Sequence, residues 1–389
     1  MAAEPKHTQI AIVGGGISGL WMMNVLGNLG FAVTLFERQE LGHAQTFASQ
    51  GMIHGGIKYA LGGFTTPASE SIANMPAVWQ DCLAGAGPLP LKQVQTLSDA
   101  YYLFSDGSLG SRVTAFFGSK SVRGRVTAMP HSDYPPLFAN PGFNGNLYQL
   151  LDIVVDTPAL IRALATPYKK HIYHSHVNLL RGPAGEVTAI DTGHGLVTAD
   201  CYVLAAGNGN EALLAGTKST VRMQRRPLQQ VMVKGKLPLA YAHAVSLRTA
   251  AKPRVTMTTH PMEDGEQVWY LGGQLAEDGV ARTAGEQIDQ ARQELNELFP
   301  WVDLNACQWS TLNVDRAEPA NDLQRPDTPF CQRDGNSIVC WPTKLTLTPM
   351  LGERLTELVA ANLQPNNRPA PELSLPTASI SKTPWEIAF

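Results

Sequence analysis

The 389-residue chain has little excess charge of either sign: 30 lysines and arginines stand against 33 aspartates and glutamates, for a net charge of −3. Such a balance provides no field to hold a polyanion, so neither nucleic acid nor an anionic membrane is an expected partner. Cysteine is scarce. The five (Cys82, Cys201, Cys307, Cys331 and Cys340) are odd in number and none is spaced CxxC. This argues against a disulfide framework, a zinc site and an iron–sulfur ligand set. No metal site is expected, and His43 in "GHA" has no partner at ligand spacing. No apolar run reaches membrane-spanning length, and "MAAEPKHTQ" lacks an apolar signal core. Repeats, long low-complexity segments and serine or cysteine nucleophile motifs are missing as well. What is left is a globular enzyme, expected in the cytoplasm, 44% hydrophobic and long enough for two domains.

The opening of the chain is informative. Gln9–Val13 is a short apolar run suited to a buried parallel strand. Gly14, Gly16 and Gly19 follow at GxGxxG spacing, the pattern of a tight turn that brings a dinucleotide pyrophosphate to a helix N-terminus. Ile17–Asn28, beginning with Ile17 and Ser18, reads as that helix. Gly30 closes it, Ala32–Phe36 reads as a second strand, and Glu37 ends the strand next to Arg38. An acid at that point, 23 residues after Gly14, can accept hydrogen bonds from an adenosine ribose.

A nicotinamide dehydrogenase would continue with further strand–helix units. Here the chain leaves into "LGHAQTFASQGMIHGGIKYALGG", and a strand-to-glycine pattern returns only at Tyr202–Ala206, running into Gly207 and Gly209. The segments "IVGGGISG", "FER", "IHGGIKY" and "WPTKLTLTPMLGERLTEL", with "VLAAG" as a weaker fifth, resemble the D-amino-acid-oxidase-like superfamily of FAD-dependent oxidoreductases. Their look is nearest to the branch of glycerol-3-phosphate dehydrogenases and 2-hydroxyglutarate oxidases. Pro342 and Thr343 replace that branch's paired glycines, and Lys58 stands where it has arginine.

The resemblance implies FAD as cofactor. It places "IHGG", with His54 and Gly55, by the isoalloxazine ring, and Lys344, Leu345 and Thr346 at the start of a late helix near the flavin pyrimidine. Ser49, Gln50, Gly51, Val177, Ala206 and Gly207 complete the expected cofactor set. The late helix is supported by its own residues: Pro349 suits a first turn, and "MLGERLTELVAANL" has helical apolar spacing. A helix N-terminus there would favour negative charge on a reduced flavin.

The expected fold is α/β. Segments 1–75, 150–215 and 310–365 would form a Rossmann-like FAD-binding domain. Segments 76–149 and 216–309 would form an inserted α+β substrate domain on an antiparallel sheet, and 366–389 an extended arm. "RRPLQQVMVKGKL", "RVTMTTH" and "QVWYLGGQLAE" read as strands of that sheet, and 284–300 as an amphipathic helix stopped by Pro300.

For the chemistry, His54 can act as base or substrate ligand, hold its loop in place, or carry a covalent flavin. Lys58, Arg316 and Lys344 match positions that gather round an anionic substrate end in the resembled branch, and a guanidinium can clamp a carboxylate or phosphate. Asp315 and Glu318 could instead neutralise their neighbour. Arg225 and Arg226 read as a surface edge with substrate contact as the minor alternative, and His260 and Tyr270 as polar residues on a sheet face with pocket lining as the minor alternative. The expected reaction is oxidation of a small anionic substrate at a CH–OH or CH–NH carbon by hydride transfer to flavin, with oxygen or quinone left open as acceptor. The alternatives are an NAD(P)-linked dehydrogenase and a flavin-binding subunit without its own turnover.

Overall fold

The computed structural model describes residues 4–56, 72–105, 125–215, 217–245, 252–321, 326 and 328–389. Strands numbered along the chain form two large sheets. The heart of the first is parallel: β1 (Lys6–Val13), β2 (Val33–Glu37), β9 (Ile172–His174), β12 (Leu196–Leu204) and β19 (Ser337–Trp341) lie in the order β9-β2-β1-β12-β19. Successive strands first step outward from β1 and then resume on its other side, so connections diverge between β1 and β12. That switch point is where an open parallel sheet leaves a crevice for a ligand. Strands β10 (Asn178–Arg181) and β11 (Val187–Asp191) extend the sheet antiparallel to the start of β12, and β18 (Phe330–Asp334) forms a hairpin with β19.

Ile10–Val13 and Tyr202–Leu204 are buried throughout, as central strands covered on both faces must be. Helix α1 (Ile17–Asn28) is buried along most of its length and packs against α7 (Thr348–Ala360) on one face of this sheet. Helices α2 (Met75–Ala84) and α3 (Thr157–Ala165) contribute Trp79, Leu160 and Leu164 to the same core.

The second sheet runs β17 (Gln308–Pro319), β13 (Met223–Gly235), β16 (Gln267–Gly272), β15 (Val255–Pro261), β14 (Ala242–Val245), β5 (Tyr101–Ser105), β7 (Leu147–Leu150), β6 (Val126–Ala128). All its pairings are antiparallel except β14 with β5. Helix α6 (Ala284–Leu298) covers one face, started by a Thr283–Glu286 capping box and buried through Leu295 and Leu298 against Val231, Val233 and Trp269. A small sheet of β3 (Met52–Ile53), β8 (Ile153–Val155) and β4 (Thr96–Ser98) lies between. Short helices α4 (Asn210–Leu214) and α5 (Gln274–Asp278) follow β12 and β16.

The architecture is therefore α/β, a Rossmann-like unit of discontinuous segments plus a sheet-rich insertion. Details differ from the sequence expectation. Gln274–Asp278, read as strand, is helical, because Gly273 at φ 82° turns the chain out of β16. Residues 310–319 belong to β17, whose long antiparallel pairing with β13 carries them onto the second sheet. The terminal arm bridges Tyr173 through Thr377 and Leu41 through Ile380, then ends in α8 (Pro384–Ala388) rather than staying extended. Among the described residues no helix is long and apolar enough to cross a membrane.

Candidate active site

The carboxyl ends of the parallel strands open into a cleft of about 760 Å³, whose opposite wall is the second sheet at β13 and β17. Strand β1 runs into Gly14 at φ 116°, where a methyl group would lie 2.5 Å from the Ala205 carbonyl oxygen. A side chain there is excluded both by the backbone angle and by the close pass of the chain leaving β12. At Gly19 a methyl group would overlap the Gly14 carbonyl, so the absence of Cβ lets α1 begin hard against the turn. Gly14, Gly16, Ile17 and Ser18 line the cleft; Gly19 lies behind them. The Ile17 N–H, at the open end of α1, donates to Thr46 Oγ1 at 3.1 Å.

Glu37 holds its own turn. Its carboxylate accepts from Gly15 N at 2.6 Å and Gln39 N at 2.8 Å, and with Arg38 it lines the cleft at the end of β2. Val177 enters from the chain after β9, Ala206 and Gly207 from the chain after β12. Asn210 ties those ends together: Ala206 N donates to its Oδ1, and its Nδ2 donates to the Leu204 and Cys340 carbonyls. Buried Asn208 Oδ1, also in the cleft, meets no protein partner among the described residues.

Ser49, Gln50 and His54 line the cleft from the next segment, while Gly51 and Gly55 stand behind it. The Gln50 amide donates to the carbonyls of Thr256 (3.1 Å) and Tyr270 (2.8 Å), which makes it a cross-link to the second sheet. His54 is buried, and its backbone is held on two sides. Thr346 Oγ1 donates to its carbonyl at 3.1 Å, and the adjacent Gly55 N donates to buried Asp152 at 2.9 Å. Thr346 is itself fixed by Trp79 Nε1, which donates to the Thr346 carbonyl at 3.1 Å. Thr346 thus supports the wall that Lys344 and Leu345 line. Lys58 lies outside the described residues.

From the second sheet come Leu228, Gln230, Val314 and Arg316. Arg316 sits within β17, its guanidinium donating from Nε to the Arg226 carbonyl at 3.3 Å. Asp315 faces the other way and pairs with exposed Arg225, which also binds Glu211. Glu318 pairs with Arg226, so each acid neutralises a residue of β13 across the ladder. Arg226 is mostly buried beside Arg316, not a surface-edge residue.

His260 and Tyr270 are on the same sheet face but outside the cleft lining. Trp385 of α8 stacks on His260 at 3.9 Å, and burial pushes the imidazole down to about 3. The Tyr270 hydroxyl, raised by burial, donates to Gln230 Oε1 at 2.7 Å and lies 3.1 Å from the Ala48 carbonyl. Sequence reasoning missed Thr46, Asn208, Gln230 and Asp152. Their contacts join segments distant in the chain, and no local motif marks them.

A family model described as FAD dependent oxidoreductase matches residues 9–358. A "Probable FAD-dependent oxidoreductase" of Pseudomonas aeruginosa is 46% identical over 394 residues, covering 99% of either chain. The crystal structure of an FAD dependent oxidoreductase from the same organism has a TM-score of 0.85 at 41% identity, covering 100% of this chain and 99% of that one. A likeness of fold alone extends to glycine oxidase from Geobacillus kaustophilus, with a TM-score of 0.67, 16% identity and coverage of 92% and 96%. It extends also to L-proline dehydrogenase from P. horikoshii, at 0.68, 14% identity and 96% of each chain.

Proposed function

Because the chain belongs to the family of FAD-dependent oxidoreductases, and FAD is its cofactor, we propose that it oxidises a small anionic substrate at a CH–OH or CH–NH carbon. With the cofactor and the enzyme class settled by family, the nicotinamide and non-catalytic alternatives are set aside. The residues present fit FAD. The side-chain-free turn at Gly14, the α1 N-terminus, the Glu37 carboxylate and the unpartnered Asn208 Oδ1 supply the donor and acceptor set that a dinucleotide requires.

One observation supports the substrate reading most. Arg316 enters from the second sheet into the same cleft that the glycine turn lines, so a cofactor wall and a cationic wall face one cavity. When bound, FAD supplies the two-electron acceptor. In this reading Arg316, with Lys344 and Lys58, anchors the anionic end of the substrate by charge-assisted hydrogen bonds. His54 in its neutral form accepts the proton from the substrate hydroxyl or amine. The second sheet covers the cleft and limits water. The segments 1–75, 150–215 and 310–365 would carry the cofactor, except for β17, which joins the segments 76–149 and 216–309 in the substrate wall. We place the enzyme in the cytoplasm. The look of "IHGGIKY" and "WPTKLTL" inclines it toward the alcohol-oxidising branch of glycerol-3-phosphate dehydrogenases and 2-hydroxyglutarate oxidases.

The test is anaerobic mixing of the holoenzyme with hydroxy acids, amino acids and sugar phosphates while the visible flavin absorbance is followed. Bleaching by one class identifies the substrate. No bleaching by any anionic compound, with bleaching by a neutral alcohol or amine, would overturn the reading.

A further inference from the structure

Arg316 has a second guanidinium beside it. In the register of β13 and β17, Arg226 stands directly opposite Arg316, and their side chains are only 17% and 22% exposed. Like charges facing each other across a ladder repel, more so where solvent is thin, and such a pair persists only with anions around it. Among the described residues two carboxylates serve. Glu318 pairs with Arg226 at 3.3 Å. Glu277, on α5, directs Oε1 to both arginines, 3.8 Å from Arg226 and 3.7 Å from Arg316, while its Oε2 accepts from Lys252 Nζ at 2.5 Å.

The two longer separations exceed hydrogen-bond reach, so Glu277 offsets guanidinium charge through space. Among the described residues, Arg226, Arg316 and Lys252 meet Glu277 and Glu318 here.

We propose that Glu277 is a specificity-determining residue, which trims the charge behind Arg316 and so narrows the advantage that a dianion, such as a phosphate monoester, holds over a singly charged carboxylate. The proposal rests on the reading of Arg316 as the anion anchor. Glu277 does not touch the substrate in this account. It sets the field at the guanidinium that does. Replacing it by an isosteric neutral residue adds one positive charge to the wall. A monoanion gains once from that charge and a dianion twice.

The experiment is calorimetric titration of the holoenzyme with acetate and with sulfate at constant ionic strength, in the wild type, Glu277→Gln and Arg316→Met. Constant ionic strength keeps screening equal between the two anions. In Glu277→Gln, acetate should bind about threefold tighter and sulfate about tenfold tighter, because the Coulomb energy doubles with ligand charge. Equal affinities in wild type and Glu277→Gln, or a loss of both anions in that variant, would overturn the role of Glu277. Arg316→Met separates the two ideas. If it weakens both anions while Glu277→Gln changes neither, only the role of Glu277 falls. If it leaves both anions bound as in the wild type, the anchor reading itself falls.

Discussion

The two walls of the cleft are built in different ways. The wall on the first sheet is a backbone wall: the turn at Gly14, the α1 N-terminus and the chain passing Ala205 meet because side chains are absent. The wall on the second sheet is a side-chain wall, where Arg226, Arg316, Glu277 and Glu318 meet through the register of two strands. A backbone wall tolerates almost no addition. A side-chain wall can be retuned by single substitutions without loss of the fold, which suits it to the substrate choice proposed for it.

The largest effect tests the first wall. Gly19→Val should leave no flavin in the purified protein, since even a methyl group would overlap the Gly14 carbonyl and valine adds a branch. Full flavin content in that variant would show that the turn can yield, and the contrast between the walls would lose its basis. His54→Ala comes next, at the seam of the two walls. It should keep flavin bound and slow anaerobic reduction by roughly 10²-fold or more, the usual contribution of a positioned base. An unchanged rate would remove the proton-accepting role. Colour retained by the wild type in an acid precipitate, and lost in the variant, would instead make His54 a flavin attachment site.

Farther from the cleft, the second sheet carries Trp385 stacked on His260. Trp385→Ala should lower stability by about 3–5 kcal/mol in denaturant unfolding, as for other buried large-to-small changes. A loss below about 1 kcal/mol would mean that α8 does not hold this face.

The last effect is one of pH. His260 is held neutral when folded, lowered from 6.5 to about 3 by burial, while the unfolded chain takes up a proton below 6.5. Stability contributed by the neutral form is therefore present above pH 6.5. It is lost as pH falls toward 3, with a slope of up to about 1.4 kcal/mol per pH unit. His260→Asn should flatten unfolding free energy against pH across that window. The same slope in variant and wild type would show that His260 is not the group responsible.

The difference between the walls also governs what can be read in the sequence. Gly14, Gly16, Gly19 and Glu37 lie within one strand–helix–strand unit, so their spacing alone predicts the turn, and α1 spans Ile17–Asn28 as expected. The strands of the second sheet are equally legible as strands, but their register is not. Whether Arg226 faces Arg316 or solvent depends on pairing residues 90 positions apart. A slip of one residue would turn the arginine to the other face. Arg226 reads as an edge residue for that reason, and Glu277 reads as part of a strand until Gly273 turns it into α5. Gln50 shows the converse case. Its position by the cofactor loop is legible, but its amide is spent on carbonyls of Thr256 and Tyr270, far along the chain.

The central claim, a cofactor wall and an anion-binding wall acting on one cavity, is tested most directly by Arg316→Met in the holoenzyme. Flavin content and the substrate dependence of anaerobic flavin reduction would be measured together. Full flavin content is expected, with the half-saturating substrate concentration raised at least about tenfold, the equivalent of about 1.4 kcal/mol of lost anion binding. Wild-type half-saturation, or loss of flavin in place of substrate affinity, would contradict it.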